Sequence, residues 1–177
     1  MTHGDPKNPN KNPHPVKRYE VVATADAPGA WDTVQGSVRY EVVNLECIPK
    51  SQFVGTHSAP EAIWKDIPMS RVDEKTWKGY FYRDLFQDED YYGLGVCHWD
   101  GAQVAPSFVV HGVTFGSSQM VDEALKSPRS DYFKKSDFLD RSPKPYGIQD
   151  FSAGRPEVVQ NPEGFFPITV SVKEVTP

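Results

Sequence analysis

The sequence predicts a mainly β fold: an antiparallel β-sandwich, immunoglobulin-like in outline only, with one short helix and a long irregular insertion. Three observations carry that expectation. Short runs alternate apolar and polar residues with the period of two that half-buried strands require. Proline (16) and glycine (13) punctuate those runs, and both residues break helices. Two cysteines, Cys47 and Cys97, lie at similar places in two strand-like runs, which suits a bridge in a small β domain.

Composition bounds the rest. A chain of 177 residues fits one domain and can bury roughly 70% of the surface its unfolded form exposes. Hydrophobic residues make up only 38% while aromatic residues reach 12%, so the expected core is thin and built from few large side chains. The net charge of −5 argues against nucleic acid, which needs clustered Lys and Arg, and suits a basic partner. No apolar run approaches the roughly 20 residues that span a bilayer, and no hydrophobic signal segment is present.

Residues 1–15 read MTHGDPKNPNKNPHP, too polar to fold alone, and are expected to form a flexible tether. Two readings fit it: a ragged terminus, or the start of a mature secreted protein whose signal segment was removed. In bacterial lipoproteins such a stretch links a lipidated cysteine to the domain. On the tether reading, deleting residues 1–13 leaves the melting temperature unchanged. Residues 16–177 form the single β domain, with the insertion at about 116–165.

Lys17 to Ala25 alternates, with Tyr19, Val21 and Ala23 on one side, and Asp26-Ala27-Pro28-Gly29 supplies a turn. Gln35 to Val43 is the next strand, with Val38, Tyr40 and Val42 inward. Pro49 to Asp66 reads as a loop anchored by Phe53, Ile63 and Trp64. Ile67 to Val72 and Thr76 to Arg83 form a hairpin around Asp73-Glu74-Lys75. Gly93 to Trp99 is expected as a strand, Asp100-Gly101 as a turn, and Ala105 to Phe115 as one further strand. Gln119 to Lys126 is the helix, with Met120, Ala124, Val121 and Leu125 giving it an apolar side and Pro128 beyond its end. Residues 127–165 are rich in Pro, Ser, Gly and Asp, yet carry Tyr132, Phe133, Phe138, Tyr146, Phe151 and Phe165. Disordered segments rarely hold so many rings, so the insertion is expected to be ordered. Pro167 to Val175 alternates cleanly, and a strand at each end implies that both ends join the sheets.

The cysteine pair has two readings. A disulfide closing a loop of this length stabilises a fold by about 4 kcal/mol on the chain-entropy model; the other reading is two reduced, buried thiols. The likeness to an immunoglobulin domain is partial. Gly95 stands where that fold has its corner tyrosine, and Trp99 lies on the strand of the second cysteine.

Catalytic signatures are missing. There is no Gly-x-Ser-x-Gly elbow and no glycine-rich phosphate loop. The histidines His3, His14, His57, His98 and His111 have no second ligand type at metal-site spacing. No catalytic residue, metal or cofactor is assigned, and a binding protein is expected rather than an enzyme. The most distinctive local feature is the acidic, aromatic run from Asp84 to Tyr92. It reads as a solvated turn, as a calcium loop lacking the regular Asp-x-Asp-x-Asp-Gly order, or as a docking surface. On the docking reading, Asp84, Asp88, Glu89 and Asp90 steer a basic partner, and Phe86 and Tyr91 supply the desolvated contact.

Several tracts carry a resemblance. Val16-Lys17-Arg18-Tyr19-Glu20-Val21, Gly36 to Asn44 with Cys47, and Asp88-Glu89-Asp90-Tyr91-Tyr92-Gly93 with Gly95-Val96-Cys97 and Trp99 resemble small exported proteins and lipoproteins of xanthomonad-type bacteria. The likeness covers about residues 16–115 and the final strand. Some members of such groups act as periplasmic immunity proteins that neutralise toxins of contact-dependent secretion systems. The resemblance thus implies a periplasmic location, a cognate secreted toxin as partner, one-to-one occlusion and no catalytic residues. Contact with a membrane would come only through an N-terminal lipid anchor absent from this chain. The alternative is a carbohydrate or cell-wall binding module that uses exposed aromatic residues.

Overall fold

Alternating burial of Val21, Ala23 and Ala25 makes β1 (Arg18–Ala25) a half-buried strand, and β2 (Thr33–Val42) repeats the pattern with Val38, Tyr40 and Val42 inward. The computed structural model describes residues 4–51, 55 and 58–177. In chain order there follow β3 (Ile63–Ile67), β4 (Ser70–Arg71), β5 (Thr76–Tyr82), β6 (Trp99–Val104), β7 (Ser107–Val110), β8 (Val113–Gly116) and β9 (Gln119–Met120). Helix α1 (Val121–Lys126), β10 (Arg129–Lys134), α2 (Lys135–Leu139), α3 (Pro156–Gln160) and β11 (Phe165–Glu174) complete the chain.

The fold is mainly β, as the patterning predicts. One antiparallel sheet has the order β10-β11-β1-β5-β4; the other has β8-β7-β2-β6-β9, with β3 also paired to β2. The first and last strands pair along their length, from Tyr19 with Glu174 to Ala25 with Ile168, so both chain ends enter the sheets. Side chains of both sheets meet in one core: Val21, Phe81, Val170 and Val172 from the first, Val38, Tyr40, Trp99 and Val104 from the second. A second cluster gathers Phe108, Phe115, Phe133, Phe138 and Phe166, with Trp31 and Trp77 against it. The chain passes from β3 to β4 through Pro68 and Met69, so closely over Gly79 that an added Cβ there would sit 2.6 Å from Ile67 and 2.7 Å from the Pro68 carbonyl.

Several expectations need correction. Residues 93–98 are loop, not strand. Gly93 and Gly95 adopt φ of 73° and 119°, which a strand does not use. Asp100 and Gly101 are not a turn but lie inside β6, paired with Glu41 and Tyr40. The expected single strand from Ala105 to Phe115 is a hairpin, β7 and β8, turned by His111 and Gly112 at φ of 49° and 73°, the conformation two-residue hairpins require. His98 and His111 are therefore loop residues, while His3, His57 and Phe53 lie outside the described residues. Ser37 and Ala105 exchange backbone hydrogen bonds of 3.2 and 2.8 Å, so β6 and β7 follow the same edge of β2 as one line interrupted at Pro106, which lacks an N–H. Ile63 and Trp64 belong to an edge strand rather than a loop.

The insertion is less irregular than expected. It contributes β10 to the first sheet, in register from Arg129 with Val170 to Lys134 with Phe165, and two short helices besides α1. Phe151, Val158 and Phe165 form a small core of their own, with Tyr132 packed against it.

Residues 4–15 are docked rather than free. Pro9 is buried. Asn12 donates its backbone N–H to the Leu85 carbonyl at 2.8 Å, and the Asn10 carbonyl accepts from Gln87 at 2.8 Å. The Asn12 amide reaches the Asp84 carbonyl at 2.9 Å. Hydrogen bonding, with little apolar burial beyond Pro9, holds the segment, which is why its polarity misleads. Deleting residues 1–13 is accordingly expected to cost about 2 kcal/mol, from a few backbone bonds at about 1 kcal/mol each with part regained from water. The melting temperature should fall by about 4–8 °C, and an unchanged value in a thermal melt would return the segment to a tether.

Candidate functional site

The acidic run from Asp84 to Asp90 is tied into the fold residue by residue. The Asp84 carboxylate accepts the backbone N–H of Val16 at 2.9 Å and of Lys17 at 3.0 Å, fixing the entry to β1. Asp88 accepts from the Trp99 N–H at 2.9 Å and pairs with His98 Nδ1 at 2.8 Å. Glu89 accepts from the Asn10 amide at 2.9 Å. Asp90 accepts from the Gly93 N–H three residues on at 2.7 Å. The acids thus satisfy loop donors that no strand partner reaches, and neutralising Asp88, Glu89 and Asp90 together would loosen the loop as well as its field.

Phe86 and Tyr91 are not exposed anchors, which corrects the docking role read from the sequence. They are 4% and 6% exposed. Phe86 packs edge-on against Tyr40 at 5.1 Å and tilted against Trp99 at 5.7 Å. The Tyr91 hydroxyl accepts the Trp99 indole N–H at 2.8 Å, and burial pushes its pKa up. Among the described residues, no group of three or more His, Cys, Asp and Glu comes together as a metal site, so the calcium reading gains no ligand set.

The disulfide expected between Cys47 and Cys97 is present, with Cα atoms 5.3 Å apart, and both cysteines are fully buried. It clamps two loops, residues 43–47 and 93–98. Further bonds lock them edge to edge. Val43 N–H donates to the His98 carbonyl at 2.9 Å. The Asn44 side chain donates to the Val96 carbonyl at 2.9 Å and accepts from the His98 N–H at 2.7 Å. Cys97 N–H donates to the Glu89 carbonyl at 2.9 Å.

On this cross-linked pair of loops four apolar side chains face water: Val43 at 53% exposure, Leu45 at 59%, Leu94 at 53% and Val96 at 46%. Glu46 stands between Leu45 and Cys47, and hydrogen bonding by its own backbone and by Asn44 holds its carboxyl below the usual range, with His98 nearby adding to the effect. Asp88, Glu89 and Asp90 flank the clamp through the Glu89–Cys97 bridge. Sequence reasoning missed the four apolar residues. The signals were there: Val43 and Leu45 follow a strand whose inward set ends at Val42, and Leu94 sits between two glycines.

One acid elsewhere is unusual. Asp131 on β10 accepts from Ser117 and Gln119, each at 2.8 Å. Burial raises its pKa above the usual carboxylate range although those hydrogen bonds oppose the rise. A folded-state pKa above the unfolded one means that the folded form holds the proton more tightly. The contribution therefore favours folding at low pH and turns into a cost as pH rises through the folded pKa. Asp131→Asn keeps an acceptor for both donors without the charge. Its stability relative to the parent should improve as pH rises above the ordinary aspartate value of about 4, read from urea melts at a series of pH values; a constant difference would mean the carboxyl is solvated.

No protein-family model, curated protein or solved structure matches this chain.

Proposed function

We propose that this chain is a protein-binding domain of the immunity type, which occludes a secreted antibacterial toxin one-to-one in the periplasm. The observation that carries the reading is the clamped loop pair: exposed Val43, Leu45, Leu94 and Val96 on backbone held by a buried disulfide. Exposed apolar side chains grouped on ordered loops favour a protein partner. Loops already fixed lose little entropy on binding. The acidic flank of Glu46, Asp88, Glu89 and Asp90 suits a basic partner and would raise the association rate. Export agrees with the disulfide, which persists in oxidising compartments.

The test identifies the product of the neighbouring gene and, where that product is an exported antibacterial protein, titrates it against this chain by calorimetry. One-to-one binding that weakens as salt rises is expected. A Leu45→Asp, Leu94→Asp double variant should bind about a hundredfold more weakly, with an unchanged melting temperature because both side chains are already exposed. Parent-like affinity in that variant would remove the loops from the interface.

A further inference from the structure

Beside the second aromatic cluster, away from the clamped loops, a cleft of about 230 Å³ opens between the segment before β2 and the β4–β5 hairpin. Trp31, Asp32, Thr33, Arg71, Glu74 and Trp77 line it. Its two indoles are held from behind. Trp31 lies 5.2, 5.3 and 5.0 Å from the rings of Phe108, Phe115 and Phe138, and Trp77 meets Phe108 edge-on at 5.5 Å. Their orientation is fixed by the core, not by a ligand.

The polar groups are only partly engaged. Arg71 donates its Nε to the Asp73 carbonyl at 3.0 Å, its guanidinium carbon lying 6.0 Å from the centre of the Trp77 ring. The two terminal nitrogens have no hydrogen bond among the described residues. One Asp32 oxygen accepts the His111 N–H at 2.8 Å, leaving the other open. Glu74 makes no side-chain hydrogen bond among the described residues.

We propose that this cleft holds one pyranose ring of a neutral glycan. Charge selects the class. Asp32 and Glu74 repel a phosphate or carboxylate, and Arg71 repels a cation. A hydroxyl is both donor and acceptor, so neighbouring hydroxyls satisfy the guanidinium and the carboxylates together. The apolar C–H face of the sugar lies against indole, which offers flat apolar area at low entropic cost. The volume falls below the roughly 300 Å³ at which drug-sized pockets begin, so it suits a single ring. This site is independent of the protein-binding loops.

The test is a titration of the intact protein with glucose, galactose, mannose and N-acetylglucosamine, followed by the four indole N–H signals in a ¹⁵N–¹H spectrum. At least one sugar should move the Trp31 and Trp77 signals saturably, in the millimolar range, while those of Trp64 and Trp99 stay. Arg71→Gln and Glu74→Gln should each weaken that sugar about fivefold, the worth of one hydrogen bond, with unchanged melting temperature. The Leu45→Asp, Leu94→Asp variant should bind sugar like the parent, so a failure of the protein-binding reading leaves this result standing. The proposal is overturned if none of the four sugars moves Trp31 and Trp77. It is equally overturned if the response sits on Trp64, or if sulfate competes and marks the cleft as an anion site.

Discussion

Replacing both Cys47 and Cys97 by Ala is expected to lower the unfolding free energy by about 4 kcal/mol. The bridge spans 50 residues, enough to enclose β3, β4 and β5. On the chain-entropy model, releasing such a loop restores that much freedom to the unfolded chain. The folded side loses as well, because both sulfurs sit at 0% exposure within the main core. The melting temperature should fall by about 8–16 °C, and amide exchange should speed up in the loops at 43–47 and 93–98. A loss below about 1 kcal/mol in a urea melt would mean that the hydrogen bonds of Asn44 and Glu89 hold the clamp without the covalent bond.

Arg83→Met is the second large effect. The Arg83 guanidinium follows β5 in the first sheet and grips Asp100 of β6 in the second with two bonds, 2.8 and 2.6 Å. A third bond, 3.0 Å, goes to Asp122 on α1, and the guanidinium lies 5.4 Å over the Tyr19 ring. Burial works against its charge, but the hydrogen bonds and charges of Asp100 and Asp122 more than reverse this and raise its pKa. Exposure is 13% for the Arg83 side chain and 24% for that of Asp100, so truncation strands a largely desolvated carboxylate. Breaking such a pair from one side costs about 3–5 kcal/mol when fully buried; the residual exposure places this one at about 3 kcal/mol. Asp122 is 74% exposed, and Asp122→Asn should change stability by well under about 1 kcal/mol. Equal losses in the two variants, measured by denaturant melts, would contradict the view that Asp100 anchors the pair.

Much of this architecture was legible in local pattern. The inward sets of β1, β2 and β11 are read from period two alone, because each strand has one buried face. The disulfide followed from two cysteines in similar settings. Other features depend on groups distant in sequence. Asp100-Gly101 has turn chemistry, yet Arg83 and the pairing with β2 keep it in a strand. Ser130 to Phe133 looks irregular because only Phe133 is apolar and fully buried there, so β11 imposes the strand. Residues 4–15 carry almost no apolar signal, and their docking rests on backbone bonds to Leu85 and Gln87. At the candidate site the sequence drew attention to the acidic run and took Phe86 and Tyr91 as exposed anchors, and the fold buries both. Phe86 and Tyr91 are aromatic and flank acids, but acids that cap backbone donors pull their neighbours inward. Leu45 and Leu94 face out on loops whose buried positions include Cys47 and Cys97.

Hydrogen exchange of the intact chain, alone and mixed with an exported antibacterial protein that it is found to bind, tests the protein-binding reading most directly. Slowed exchange on binding is expected at Val43 to Cys47 and Gly93 to His98, with Trp31 to Val34 and Arg71 to Trp77 unaffected. Protection confined to the latter two segments, or no one-to-one complex at all, would contradict it.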